Sequence, residues 1–415
     1  MLHGRIIFIR KQGGISFARL QMNEGARQQI AFSKAEWPSV EDYKHFISQL
    51  KIGTILRLEG KFAPSSTGEM TFWANDDSEI LAQPQLPFPD KFKGLSDENA
   101  LLRKRYLDCI LDPETLGSFK LRHQCIQTIR NFLLEKNFTE VETPILSAHA
   151  SGANARPFQT HLNSKNADLF LRIAPETYLK RYVTAGFDRV FEIGKNFRNE
   201  GIDPSHLPEF TSVEWYAAYQ THLDNLTLFQ ELFAQLVTLS PHCQNGKLSY
   251  QDTIIDLNNV SVCTYESLFE KYVGGRDWQN LSWKERDLLF KKKIRPNLID
   301  PTYISNYPAE MAPLAARSTS DNSQVDMWQL VINGWELVKC YQELVDPDLQ
   351  EQLLQQQMLE KTQDPEAMEL EPDFIECMRY GMPPMSGLGL GIDRLVCLLA
   401  NQDNLRNVVM FPILL

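Results

Sequence analysis

The sequence predicts an α+β protein in which residues 1–82 form a separate all-β segment. Three observations carry this. Short runs of β-forming residues separated by turn residues fill 1–82. A proline-rich connector follows, Gln83-Pro84-Gln85-Leu86-Pro87-Phe88-Pro89-Asp90, which can continue neither a helix nor a central strand. From residue 100 onward, helical and strand periodicities are mixed.

In the first segment, strands are expected at Arg5–Arg10, Ile15–Leu20, Gln29–Phe32, Thr54–Lys61 and Met70–Ala74. Gly13-Gly14, Asn23-Glu24-Gly25 and Ser65-Ser66-Thr67-Gly68 punctuate them. An amphipathic helix over Val40–Gln49 interrupts the series. Five strands with an interior helix point to a small Greek-key barrel of the oligonucleotide-binding type. The organisation expected is therefore a barrel at 1–82, a linker at 83–99 and a second domain at 100–415.

In the second domain, Ser118–Lys136 reads as an amphipathic helix, followed by a strand at Phe138–Pro144 that proline stops. Arg189–Ile193 and Phe210–Tyr216 read as strands, 348–362 and 371–380 as helices, and 363–370 as a loop. The seven cysteines show neither a CxxC nor a Cys/His ligand spacing, so buried thiols are expected rather than zinc or disulfides. A net charge of -11 argues against a uniformly basic nucleic-acid binder but permits a local basic face. No apolar run approaches the roughly 20 residues of a membrane span, and a cytoplasmic setting is expected.

Two segments carry chemistry. In Phe197-Arg198-Asn199-Glu200-Gly201, an arginine leaving a strand can hold a phosphate or carboxylate through two parallel charge-assisted hydrogen bonds. Asp203-Pro204-Ser205 is a turn that can return His206 to the same ligand, and Phe210 offers a face for a purine. Glu214 and Tyr216, two apart on a strand, share one face. The second segment is Gly387-Leu388-Gly389-Leu390-Gly391-Ile392-Asp393-Arg394. Alternate glycines clear one face of a strand, and Arg394 follows in the first turn of a helix. A dinucleotide fingerprint is excluded by context, since no βαβ unit can follow so near the C-terminus.

Together these segments resemble motifs 2 and 3 of the class II aminoacyl-tRNA synthetases, and Ser118–Pro144 resembles motif 1. Within the class the chain is most similar to lysyl-tRNA synthetases. The blocks Pro89–Leu95, Arg103–Asp108, Gly152–Phe158 and Leu171–Glu176 carry that likeness. The resemblance implies an antiparallel sheet flanked by helices, with residues 3–82 as an anticodon-binding barrel. It implies ATP-dependent activation of lysine to lysyl-adenylate, transfer to tRNA, and a homodimer formed through motif 1. Arg198 and Arg394 would be the catalytic cations. Arg198, Glu200, His206, Phe210, Glu336 and Arg394 would bind ATP, with Glu336 holding Mg2+. Gly152, Glu176, Arg198, Glu214, Tyr216, Tyr341 and Glu343 would bind lysine. Phe17, Gln29 and Glu69 would read the anticodon.

Two positions depart from the family pattern. Gln329 stands where the family has a second metal-binding glutamate, and Lys339 replaces an asparagine. Two other readings therefore stay open at this stage. One is a ligase attaching a lysine-type residue to a translation elongation factor, a paralogue group that lacks the barrel. The other is a catalytically impaired synthetase-like protein that binds RNA or regulates. The remaining histidines are expected to be ordinary surface or core residues, and the run Lys291-Lys292-Lys293-Ile294-Arg295 is expected either to touch tRNA phosphates or to form a solvated helix end.

Overall fold

A computed structural model describes residues 1–88, 98–275, 277–360 and 370–414. They divide into two compact units, Met1–Gly117 and Ser118–Ile413. The connector and the block at Pro89–Leu95 fall wholly or partly outside the described residues, as does most of the loop expected at 363–370.

In the first unit, seven strands form one sheet: β1 (Leu2–Arg10), β2 (Ile15–Gln21), β3 (Arg27–Ser33), β4 (Ile55–Leu58), β5 (Gly60–Pro64), β6 (Met70–Ala74) and β7 (Glu79–Ala82). Their order is β5-β6-β3-β2-β1-β4-β7. The strand expected over Thr54–Lys61 is therefore two. Its first half pairs with β1 and its second half with β6, so the bend at Glu59-Gly60 closes the sheet into a barrel. A side chain at Gly60 would run into the Trp73 carbonyl oxygen, which is why glycine makes the turn. Helix α1 (Val40–Gln49) forms as expected, capped by Ser39, whose hydroxyl accepts from the Asp42 amide at 3.1 Å. It seals the barrel with Tyr43 and Ile47 against Ile6, Leu20, Ile30, Phe32 and Phe72.

The second unit is built on an eight-stranded sheet. Its strands are β8 (Thr139–Glu140), β9 (Arg189–Phe197), β10 (Glu209–Ala218), β11 (Ser261–Thr264), β12 (Thr302–Pro308), β13 (Gln324–Ile332), β14 (Trp335–Gln342) and β15 (Met385–Gly391). The order β11-β12-β13-β14-β15-β10-β9-β8 is antiparallel throughout its centre, with one parallel pair at each edge. The strand expected over Phe138–Pro144 reduces to two residues at that edge. Helices α2 (Pro113–Glu135), α3 (Glu176–Thr184), α4 (His222–Val237) and α5 (Ile392–Leu399) complete what positions the site.

Strand alternation separates core from site. Val213, Trp215 and Ala217 of β10, Val338 and Cys340 of β14, and Leu388 and Leu390 of β15 enter one apolar core. Ile129 and Phe132 of α2, Phe229 and Leu232 of α4, and Leu395 and Leu398 of α5 pack in that core. The intervening residues, among them Glu214, Tyr216, Lys339, Tyr341, Gly387 and Gly389, line a cavity instead. Four of the seven thiols are buried and all seven are unpaired. Among the described residues, no helix is long and apolar enough to cross a membrane.

Candidate active site

The cavity has a volume of about 480 Å³ and its floor is set by register. Tyr341 pairs across Gly387 with Tyr216, and Lys339 pairs across Gly389 with Glu214. Glycine is thus the middle residue of each row, so the functional side chains rise on either side of a bare strand. Gly387 is the tightest of the three glycines. A Cβ there would clash with Tyr216 Cε1 and Glu343 Oε1, whereas at Gly389 and Gly391 it would meet only ordinary contacts. Gly387→Ala is expected to weaken binding at this end about 10- to 100-fold, the overpacking cost of roughly 1–3 kcal/mol. Calorimetric titration of lysine into this variant, with ATP binding as the unaffected control, measures it.

At the other end, β9 runs out into Arg198-Asn199-Glu200 and returns at Pro208, whose carbonyl accepts from the Arg198 amide at 2.9 Å. The turn is held by the Asp203 carboxylate, which accepts from the Ser205 amide at 2.7 Å and contacts His206 Nδ1 at 2.9 Å. A proton on Nδ1 leaves His206 Nε2 as an acceptor, and Arg394 Nη2 lies 3.4 Å from it. Arg394 also donates to the Glu336 carbonyl at 3.0 Å. The Arg198 guanidinium stands 5.0 Å from the centre of the Phe210 ring. Its Nε is buried without a hydrogen-bond partner among the described residues. Such an orphaned charged donor is costly unless an anion fills the site. Glu200, His206, Phe210, Glu336 and Arg394 all line this end of the cavity.

The opposite end holds three carboxylates and one cation. Lys180 is 0% exposed and donates to Glu176 Oε1 at 2.8 Å, while its ammonium also contacts Glu343. Tyr341 donates to Glu176 Oε1 at 2.6 Å. Burial lowers the Lys180 pKa, and the charges of Glu176 and Glu343 more than offset this and raise it. For Glu343, burial pushes the carboxyl up to about 8 even though the Lys180 ammonium beside it pulls the other way. Glu214 has no such cation in contact. Burial first, then the charge of Glu176, push its carboxyl up to about 8, although Tyr216 donates to it at 3.2 Å.

The cavity brings together Gly152, Glu176, Arg198, Glu200, His206, Phe210, Glu214, Tyr216, Glu336, Tyr341 and Arg394, with Glu343 directly beneath Gly387. The barrel candidates lie in the other unit. Phe17 shares the outward face of β2 with Arg19, which pairs in register with Gln29 and contacts Glu69 at 3.4 Å. Gln29 donates to Thr71 at 2.8 Å.

As a metal site, the donor set is sparse. Among the described residues, no group of three or more His, Cys, Asp or Glu side chains could hold an ion. Gln329 Oε1 is engaged by the Tyr307 hydroxyl at 2.5 Å, which leaves Glu336 as the carboxylate of this strand pair that lines the cavity. That fits a magnesium ion held mostly by a nucleotide's phosphates and water, with one protein carboxylate.

Three buried elements were not legible as functional in the sequence. Arg172 donates to Glu192 and to Thr143, and a side chain at Gly194 would clash with it, so this arginine fixes the start of the Arg198 hairpin. Asp393, at the cavity wall, accepts from the Thr211 amide at 2.9 Å and pairs with Arg122 of α2. Lys180 is the third. The basic run also needs correction, because Lys291 and Arg295 line the cavity rather than only solvent.

The antiparallel sheet thus gathers Arg198, the glycine strand and the trailing Arg394 around one cavity. Residues 97–414 match the family of tRNA synthetases class II (D, K and N), and the chain belongs to that class. Within it, the lysine–tRNA ligase of Thermosipho africanus is 37% identical over 99% of this chain and 85% of its own length. The lysine–tRNA ligase of Fervidobacterium nodosum is 38% identical over 99% of this chain and 83% of its length. That of Aquifex aeolicus is 38% identical over 99% and 72%. The chain belongs to the lysine–tRNA ligase family.

Proposed function

We propose that this protein activates lysine with ATP and transfers the lysyl group to tRNA. The observation that carries the reading is the pairing, in one cavity, of Arg198, whose buried Nε has no partner among the described residues, with a carboxylate cluster. Arg198 takes the substrate carboxylate and the α-phosphate in its planar fork. Arg394, supported by His206 and the Glu336 carbonyl, faces the triphosphate, and Phe210 offers its ring to the adenine, with Glu200 beside it. Glu176 and the backbone at Gly152 receive the α-amino group. Glu214, Tyr216, Tyr341 and Glu343 surround the side-chain ammonium, which in a dry pocket requires such partners. Glu336 holds Mg2+, which neutralises phosphate charge when bound.

The carboxylate of lysine attacks the α-phosphorus in line. The new bond is carboxylate oxygen to phosphorus, and the bond to the bridging oxygen of pyrophosphate breaks. Positioning and charge neutralisation by Arg198 and Arg394 suffice, so no nucleophilic side chain takes part. In the second step the terminal ribose hydroxyl of tRNA attacks the acyl carbon and AMP leaves.

The barrel supports tRNA as the acceptor over a protein, with Phe17 stacking an unpaired base and Gln29, Glu69 and Arg19 beside it. The full-length likeness to lysine–tRNA ligases supports the same choice. Motif 1, in α2, supports a homodimer. Lys339 adds a fixed cation next to Glu214's row and supports retained catalysis despite Gln329. Radiolabelled lysine, ATP and total tRNA test the acceptor. Label is expected in acid-precipitable, RNase-sensitive material; label that appears instead in a protein of elongation-factor size overturns it.

A further inference from the structure

The substrate pocket contains one more carboxylate than lysine has ammonium groups. Glu176, Glu214 and Glu343 are three, and lysine brings two amines. Lys180 resolves the mismatch: it is wholly buried, donates to Glu176 at 2.8 Å and contacts Glu343. Its ammonium also lies 5.8 Å from the centres of the Tyr341 and Phe374 rings, so aromatic faces complete its cage. Glu176 opens α3 and Lys180 follows one turn later, so the helix presents acid and cation together.

We propose that Lys180 is a positioning residue that sets the charge of the amino-acid pocket, cancelling one of its three carboxylates so that two remain for the two ammonium groups of a diamino acid. The inference rests on the lysine-activating reading above. The groups facing this pocket are Glu176 and Lys180 from α3, Glu214 and Tyr216 from β10, Lys339, Tyr341 and Glu343 at β14, and Arg198 and Arg172 beyond β9. Arg198 is assigned to the substrate carboxylate and Arg172 is held by Glu192, so among the described residues Lys180 is the cation in contact with Glu176 and Glu343. A monoamino acid of similar length would leave one buried carboxylate uncompensated, which disfavours it.

The role is distinguishable from simple packing because it fixes how many protons leave when lysine binds. Lys180 pulls the Glu343 carboxyl back toward its ionised form against the push of burial, while Glu214 has no such cation in contact. Without Lys180, a second carboxyl in this dry site takes up a proton and must release it as well. The experiment is calorimetric titration of lysine into the full chain at pH 7, in two buffers of different ionisation enthalpy. The wild type is expected to release fewer than two protons per lysine. Lys180→Met, close in length and uncharged, is expected to release about one more, to bind lysine at least tenfold more weakly at pH 7, and to regain part of that by pH 8. Its ATP affinity should be unchanged, and Lys180→Arg should keep the wild-type proton count. A folded Lys180→Arg that departs from the wild-type proton count overturns the inference. So does a folded Lys180→Met with wild-type proton count and affinity. A wild type that binds no lysine at all overturns the lysine reading itself.

Discussion

Arg198→Ala is expected to lower kcat/KM for lysine-dependent exchange of pyrophosphate into ATP by about 10³-fold, near 4 kcal/mol of transition-state stabilisation. The size follows from what the side chain meets. Its backbone is fixed by the Pro208 carbonyl, its plane lies over Phe210, and its buried Nε has no partner among the described residues. A donor held so firmly is already organised for the charge that gathers as the carboxylate and α-phosphate join. Arg198→Lys keeps the charge but loses the fork, and an intermediate loss of about 10- to 100-fold is expected. Steady-state exchange kinetics separate the two. Equal losses in both variants would mean that charge alone, and not bidentate geometry, is what the site uses.

The second large effect concerns Glu214. Its carboxyl is pushed up to about 8 by burial and by the neighbouring charge of Glu176. Lysine binding needs the ionised form, so the sign is fixed. Above pH 8 the carboxylate is already present and affinity is flat. Below it a proton must be released, and affinity falls about tenfold per pH unit. Glu214→Gln is expected to raise KM for lysine about 10²-fold at pH 8, since truncating one partner of a buried charge pair costs roughly 2–5 kcal/mol. It should also flatten the pH profile between 6 and 8. KM measured across that range checks both, and a variant that keeps the wild-type slope would assign the titration to another group.

Much of this site was legible in the sequence because its chemistry is local. Arg198 to Phe210 is a single hairpin, and Gly387 to Arg394 is one strand and one helical turn. Period-two alternation placed Glu214 with Tyr216 correctly on one face. The barrel was legible as short β-runs, but the split of 54–61 was not. Gly60 within the run marks a bend, but a lone glycine does not say that the two halves pair with different neighbours. Lys180 was hidden for another reason. In Thr177-Tyr178-Leu179-Lys180-Arg181 it reads as an ordinary helical lysine, and only its spacing from Glu176 among buried positions hints otherwise. Arg172 and Asp393 were hidden because their partners, Glu192 and Arg122, lie 20 or more residues away in sequence.

In the proposed function, the frame of Arg198, Arg394 and the glycine strand, with Glu336 as the magnesium carboxylate, activates lysine. Exchange of labelled pyrophosphate into ATP by the full chain tests that claim most directly, with lysine varied and magnesium in excess. The account predicts exchange that depends on lysine and is abolished without it. No exchange above background at high lysine and magnesium, from protein that is folded and binds ATP, would contradict it.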